Sequence, residues 1–149
     1  GEDLSVFSRD QQDHPDDIHS GGRALEALLR PYPLATAGEP LALSFDVETG
    51  HFTYTFRGAA DIDAPTELYI PNFQYPQGYT VEVSDGTYHS DVDAQRLTYR
   101  HARAGVPHTI RIRPAQPRMV KPQPLPVWQR VLLLLVGVLL LRALLRRLK

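Results

Sequence analysis

Apolar and polar side chains alternate with a period of two over most of the chain after residue 40, which is the pattern of strands with one buried face. The first two such segments, 41–47 and 52–56, flank the turn sequence ETGH and predict a hairpin. Five more short segments follow, separated by turn or loop residues: 66–70, 79–83, 87–92, 96–100 and 108–113. Seven short strands predict a mainly β chain, folded as an antiparallel β-sandwich of about seven to eight strands.

The same alternation predicts which side chains form the core between the two sheets. Large apolar residues at every second position of a strand share one face, and that face packs inward. We expect the core to consist of Leu43, Phe45, Phe52, Tyr54, Phe56, Leu68, Ile70, Val81, Val83, Leu97, Tyr99, Ile110 and Ile112.

Segments of different character flank these strands. Residues 1–22 carry a net negative charge and few apolar side chains, and they indicate a loop or the end of something larger. A short helix is predicted next, because Ala24, Leu25, Leu28 and Leu29 recur at helical spacing before Pro31 and Pro33. The helix and strands together give a sandwich domain over 23–114. A proline-rich spacer follows at 115–126.

The last segment, 127–146, is an apolar helix by its composition. Its uninterrupted apolar run covers only eleven residues, roughly 16 Å, whereas a bilayer core is about 30 Å thick. A longer helix of nineteen residues, 127–145, would span roughly 28 Å. This length requires that the side chains of the flanking arginines extend to the lipid headgroups. A buried packing helix and an interfacial helix are the alternatives, but a stretch without a polar face favours a single span. We expect five residues to mark this membrane anchor: Trp128, Arg130, Val131, Leu141 and Arg142.

Charge and composition narrow the function classes. The net charge of −1 gives no field that would attract nucleic acid. Residues 1–20 hold six acids and one base, whereas residues 118–149 hold seven bases and no acid. The chain has no cysteine, which excludes disulfides and thiolate chemistry. It begins with Gly1 and not Met, so we expect a fragment or a processed product.

No motif in the sequence predicts a catalytic, cofactor or metal site. A glycosidase needs two converging carboxyl groups, and the glutamates here are scattered over loop, helix, turn and strand edges. The segments DID (61–63) and DVD (91–93) lack the loop length and the terminal glutamate of a calcium-binding loop. The six histidines show no metal-ligand spacing.

The stretch LYIPNFQYPQGY (68–79) is the most suggestive segment for ligand binding. Exposed tyrosine and phenylalanine rings can stack on sugar faces or pack in an interface. The alternative is that alternate rings belong to the core and the rest pack on a neighbouring domain. The residues that would contact sugar or lipid are Tyr69, Phe73, Tyr75 and Tyr79.

Several stretches resemble endoglycoceramidase-like members of glycoside hydrolase family 5. GEDLSVFSRDQ (1–11) resembles the end of the family's catalytic barrel, and GGRALEALLRPYPLATAGEPLALSFD (21–46) is similar to the junction that follows it. TELYIPNFQYP and VEVSDGTYHSDVDAQRLTYRH resemble the family's C-terminal sandwich. The residues that carry the junction match are Arg30, Pro31, Tyr32, Pro33, Ala37, Gly38 and Pro40.

The resemblance implies the C-terminal part of a glycolipid β-glycosidase, a hydrolase of O-glycosyl bonds acting on glucosylceramide, related glycosphingolipids or steryl glucosides. Segment 1–22 would then be the end of the missing barrel or a linker. The family's catalytic glutamates lie on barrel strands outside this chain, so it would itself be no enzyme and need no cofactor. Its expected partners are the catalytic barrel of the same protein, a lipid bilayer and the glycolipid substrate. A sugar- or lipid-binding module and a membrane-tethered structural remnant are the alternatives.

Overall fold

The structure, a computed structural model, describes residues 5–118. A 3-10 turn at Arg9–Gln11 and a one-turn helix α1 (Leu25–Leu28) precede the strands. The strands in chain order are β1 (Tyr32–Ala35), β2 (Gly38–Phe45), β3 (Phe52–Gly58), β4 (Thr66–Tyr69), β5 (Tyr79–Val83), β6 (Thr87–Asp91), β7 (Arg96–Arg100) and β8 (Pro107–Pro114).

The eight strands form two antiparallel four-stranded sheets, which confirms the predicted sandwich. One sheet has the order β1-β4-β7-β6 and the other has the order β2-β3-β8-β5. All seven predicted strands are present, and β2 and β3 pair as the predicted hairpin. The predicted helix is present only as the single turn of α1.

The core lies between the sheets, where the alternating apolar side chains of both sheets meet. Nine of the thirteen predicted core residues have under 2% of their surface exposed, and Phe45, Val81 and Val83 are partly buried against them. Leu43 was predicted wrongly, because half of its surface is exposed. It faces inward opposite Tyr54, but β2 is an edge strand and nothing in the described chain covers this position.

Two short connections carry the chain from one sheet to the other. Ser84–Gly86 joins β5 to β6, which lie in different sheets. Thr36 and Ala37 join β1 to β2 in the same way. The Thr36 hydroxyl hydrogen-bonds the Tyr54 hydroxyl at 2.5 Å, and the Ala37 amide donates to Thr66 Oγ1 at 3.0 Å. These bonds tie the crossing to β3 and β4, so β1 and β2 lie on the same side of the sandwich.

Strand β1 was not predicted, because prolines at 31 and 33 suggested a break. Pro33 is tolerated because β1 pairs only with β4 and forms an edge of its sheet. Both β1 and β2 contain a bulge, between Pro33 and Ala35 and between Pro40 and Ala42 respectively.

The ends of the described chain are both fastened to the sandwich domain. At the N-terminal end, the Arg23 amide donates to the Val6 carbonyl at 2.8 Å, and the Ser8 amide donates to the Gly21 carbonyl at 2.9 Å, which closes residues 8–21 into a loop. At the other end, the Ala115 amide donates to the Gly78 carbonyl at 3.0 Å. The first residues of the predicted spacer therefore stay on the sandwich as far as Arg118.

Candidate functional site

The aromatic residues predicted to contact sugar or lipid do not form one surface. Tyr75 is buried, and its hydroxyl donates to the Gly50 carbonyl at 3.0 Å. Burial raises the pKa of Tyr75 well above the usual tyrosine range, with the Arg118 charge opposing part of the rise. Tyr79 is half-buried, its ring lies 5.3 Å from that of Tyr75, and its hydroxyl bonds Ser90 Oγ. Both rings therefore contribute to packing.

The other two predicted residues, Tyr69 and Phe73, are half-buried and separate from each other. Tyr69 lies on the outer face of its sheet beside Tyr32, with ring centroids 5.3 Å apart. Glu67 and Arg96 form an ion pair of 3.0 Å on the same face. Phe73 instead packs on His19 of the N-terminal loop, with centroids 4.9 Å apart. Of the four predicted residues, Tyr69 is the one that lies with its aromatic neighbour, Tyr32, on an outer sheet face.

A cleft of about 340 Å³ lies beside Phe73 and is lined by the 73–78 loop, Glu26 and residues 114–118. Its polar groups bind one another. Buried Gln74 donates from Nε2 to the Glu26 carbonyl at 3.1 Å, and its Oε1 accepts from the Arg118 guanidinium at 2.7 Å. Arg118 also donates to the Val47 carbonyl at 2.6 Å. Through Gln74, this cleft links α1 to Arg118 at the C-terminal end of the described chain.

A buried polar network that the sequence did not predict lies at another end of the core. Asp85, in the turn after β5, accepts from the Tyr99 hydroxyl at 2.5 Å and lies 2.8 Å from Nδ1 of His108. The other ring nitrogen of His108 lies 2.7 Å from the Arg103 carbonyl. Both ring nitrogens of His108 are therefore engaged in hydrogen bonds.

The Asp85 carboxylate is the centre of this network. Burial by itself raises the pKa of Asp85, but the hydrogen bonds from Tyr99 and His108 outweigh it, so the pKa lies below its usual value. Burial and the same carboxylate raise the pKa of Tyr99 beyond the usual tyrosine range. These three side chains hold the β5–β6 turn against β7 and β8, so the role of the network is structural. No sequence signal marked it, because Asp85 looked like an ordinary turn residue.

Other acidic side chains of the sandwich are engaged with bases. Glu39 pairs with Arg57, Asp63 with Arg100, and Glu82 with both Arg111 and Arg113. Within residues 5–118, no group of three or more histidine and acidic side chains is placed to hold a metal ion.

The feature that the sequence most clearly missed is an apolar surface on the side of β1 and β2. Four large apolar side chains there are between 42% and 50% exposed, and we call them the β1–β2 edge: Tyr32, Leu34, Leu41 and Leu43. Leu34 and Leu41 are the extra residues of the two bulges. A bulge redirects a side chain out of the regular alternation, which is why period-two reasoning could not place them.

The predicted membrane anchor, with Trp128, Arg130, Val131, Leu141 and Arg142, lies outside the described residues. Over residues 5–118, the structure contains no helix with the length and hydropathy needed to cross a membrane.

Comparison with known sequences identifies relatives over most of the sandwich. Residues 30–112 match the Glycoside hydrolase family 5 C-terminal domain. Endoglycoceramidase I of Rhodococcus hoagii is 38% identical over 91 residues, which cover 61% of this chain and 18% of that protein. A glucosylceramidase of Rhizopus delemar is 28% identical over 133 residues, covering 80% of this chain and 18% of that protein.

Solved structures agree with these sequence matches. Cryptococcus neoformans sterylglucosidase 1 superimposes with a TM-score of 0.68 at 29% identity, over 80% of this chain and 19% of that chain. Endo-glycoceramidase II from Rhodococcus sp. has a TM-score of 0.53 at 32% identity, over 65% of this chain and 22% of that one. The chain thus spans about a fifth of the length of these relatives. Because the family match covers more than half of its residues, this chain belongs to the glycoside hydrolase family 5 C-terminal domain family.

Proposed function

We propose that this chain is the non-catalytic C-terminal domain of a glycosidase that hydrolyses β-glucosides of lipids, glucosylceramide or steryl glucoside. The observation that carries the proposal is the match of the sandwich to proteins named endoglycoceramidase, glucosylceramidase and sterylglucosidase, in each of which the matched region is about a fifth of the length. A domain that recurs at the end of such enzymes supports the catalytic domain that precedes it.

The arrangement of acidic groups supports a non-catalytic role. Glycoside hydrolysis by the usual mechanism requires a pair of carboxyl groups about 5–10 Å apart across the scissile bond, one of them protonated at working pH. Several carboxylates of the sandwich are instead held in ion pairs with arginines, as Glu67 is by Arg96. Asp85 is held ionised by its hydrogen bonds, which is the opposite of what a general acid needs.

The experiment is to assay a fluorescent glucosylceramide and a steryl glucoside with two proteins. One is this 149-residue chain, and the other is the polypeptide in which it follows the coding sequence upstream of Gly1. We expect turnover only by the longer protein. Hydrolysis by the 149-residue chain would overturn the proposal, and so would an upstream sequence that encodes no catalytic domain.

A second candidate function, sugar binding, is favoured by one observation, the neighbouring rings of Tyr32 and Tyr69 on an outer sheet face. The adjacent Glu67–Arg96 pair could supply hydrogen bonds to sugar hydroxyls. Titration with alkyl glucosides, followed by NMR of the tyrosine ring protons, tests it. Shifts confined to these two rings would support sugar binding, and unchanged spectra at saturating glucoside would reject it.

We further propose that segment 127–146 holds the protein at a bilayer, so that the enzyme stays beside its lipid substrate. The support is the sequence itself, a leucine-rich stretch bounded by Trp128, Arg130 and Arg142. Deleting residues 127–149 should move the protein from the membrane fraction to the supernatant after ultracentrifugation. Retention of the truncated protein in the membrane fraction would reject the tether.

A further inference from the structure

We propose that the β1–β2 edge is the surface onto which the preceding catalytic domain of the same polypeptide docks. The inference rests on the proposed function and names the face of the sandwich that this function uses. It comes from the position and exposure of the four residues Tyr32, Leu34, Leu41 and Leu43.

The first argument is the uneven distribution of exposed apolar side chains between the two sides of the sandwich. β1 and β2 form one side and carry four exposed large apolar side chains, those of the β1–β2 edge. β6 and β5 form the opposite side, and in the described chain they carry a single large apolar side chain that is exposed, Tyr88 at 45%. Sheet edges are normally protected by charges, prolines or bulges. Here both edge strands contain a proline and a bulge, but the bulge residues are leucines.

The second argument is that Leu43 faces inward and still lacks cover. It lies opposite Tyr54 on the inner face of its sheet, as Phe45 lies opposite Phe52. Phe45 packs against the core, whereas half of Leu43 remains exposed. The opening between the two sheets on this side is therefore apolar and incompletely filled by the described chain. A partner that covered it would complete the core.

The third argument identifies the occupant. Exposed large apolar side chains also occur in the segment that comes before this edge in the chain, at Val6, Phe7, Ile18 and Leu28. Eight of the twelve exposed large apolar residues of the described chain thus lie before residue 44. The family's domain is C-terminal, so the missing four-fifths of the relatives' length precedes this segment. The occupant of the apolar surface is therefore the catalytic domain, which precedes this segment in the polypeptide.

The test uses the polypeptide in which this chain follows its catalytic domain. Leu34 and Leu41 are changed together to serine, because bulge residues have no cross-strand partner whose pairing would be lost. The matched control is Tyr88→Ser, an equally exposed residue on the opposite side. Two quantities are measured: the half-life of glucosidase activity at elevated temperature, and the rate at which a protease separates the sandwich from the catalytic domain.

We expect the leucine double variant to shorten the half-life and to speed separation by about tenfold or more, since the free energy of burying one leucine side chain already corresponds to a change of that size. Tyr88→Ser should change both by less than about twofold. The unfolding midpoint of the 149-residue chain alone, which should be unaltered by the double variant, shows that the effect comes from docking and not from misfolding.

The outcomes are distinguishable. An active polypeptide in which the double variant behaves like Tyr88→Ser would overturn the docking surface and leave the proposed function intact. An active polypeptide that forms dimers through these leucines would also overturn it, because the occupant would be a second copy. A polypeptide without glucosidase activity would overturn the proposed function, and the docking inference with it.

Discussion

Gly38, the first residue of β2, is the position where a single methyl group should do most damage to the sandwich. Its φ of +148° lies in a region that glycine occupies and other residues avoid. A Cβ built at this position would lie 1.9 Å from the carbonyl oxygen of Arg57 and 2.9 Å from the amide nitrogen of Ala59. Both atoms are backbone, so no side chain can rotate away.

The expected loss in the free energy of unfolding for Gly38→Ala combines three effects. The positive φ costs about 1–2 kcal/mol. The 1.9 Å approach is about 1.5 Å shorter than an ordinary contact, so β2 and β3 must separate at this end at a cost of about 1–3 kcal/mol. Separation also weakens the 3.0 Å bond from the Ala59 amide to the Ala37 carbonyl, worth about 1 kcal/mol. We expect a total loss of about 3–6 kcal/mol.

Gly78→Ala is the matched control, because it isolates the backbone effect. Gly78 has a φ of +82°, and a Cβ at this position would meet nothing within 4 Å. Gly78→Ala should therefore lower the free energy of unfolding only by the cost of the backbone strain, about 1–2 kcal/mol. Urea unfolding of the 149-residue chain, followed by far-UV circular dichroism, gives both free energies, and the midpoints of thermal unfolding should differ by roughly 4 °C per kcal/mol. If the two variants lose equal stability, the clash at Gly38 is not real and the reasoning fails.

Three further predictions concern the polar contacts. Asp85→Asn should lower the free energy of unfolding at neutral pH by about 1.5–3 kcal/mol. Because the folded pKa of Asp85 is depressed, its contribution is complete above about pH 4 and is lost as the pH falls further, so urea midpoints of the wild type and variant should converge in acid. Arg118→Ala should speed amide hydrogen exchange at Ala115 without changing exchange in the core, and unchanged exchange at Ala115 would contradict the fastening role of Arg118. Tyr75→Phe should cost about 1–2 kcal/mol in urea unfolding, because it leaves the buried Gly50 carbonyl without its donor; a loss below about 0.5 kcal/mol would show that water replaces the hydroxyl.

The sequence predicted the parts of the fold that depend on local alternation. Phe52, Tyr54 and Phe56 alternate, and all three are buried. Strand β1 escaped prediction because its prolines look like a break, and only its position at the edge of a sheet makes Pro33 acceptable. An edge position is a property of the whole sheet, which a local pattern does not contain.

The candidate site was less predictable, because its elements come from distant parts of the chain. Tyr32 and Tyr69 meet through the pairing of β1 with β4, and β1 was not predicted. Tyr75 looked like a surface aromatic beside turn residues, yet the loop carries it inward to Gly50. The Asp85, Tyr99 and His108 network likewise depends on how the two sheets stack, which no spacing in the sequence encodes.

The one wrong core prediction carries information of its own. Alternation around Leu43 and Phe45 correctly identified the inward face of β2, since both lie opposite buried residues of β3. Whether an inward face becomes buried depends on what lies across from it, and in the described chain only Phe45 has such cover. The proposed docking of a preceding catalytic domain would supply the cover that Leu43 lacks within the described chain, and it would account for an inward-facing leucine that is half exposed.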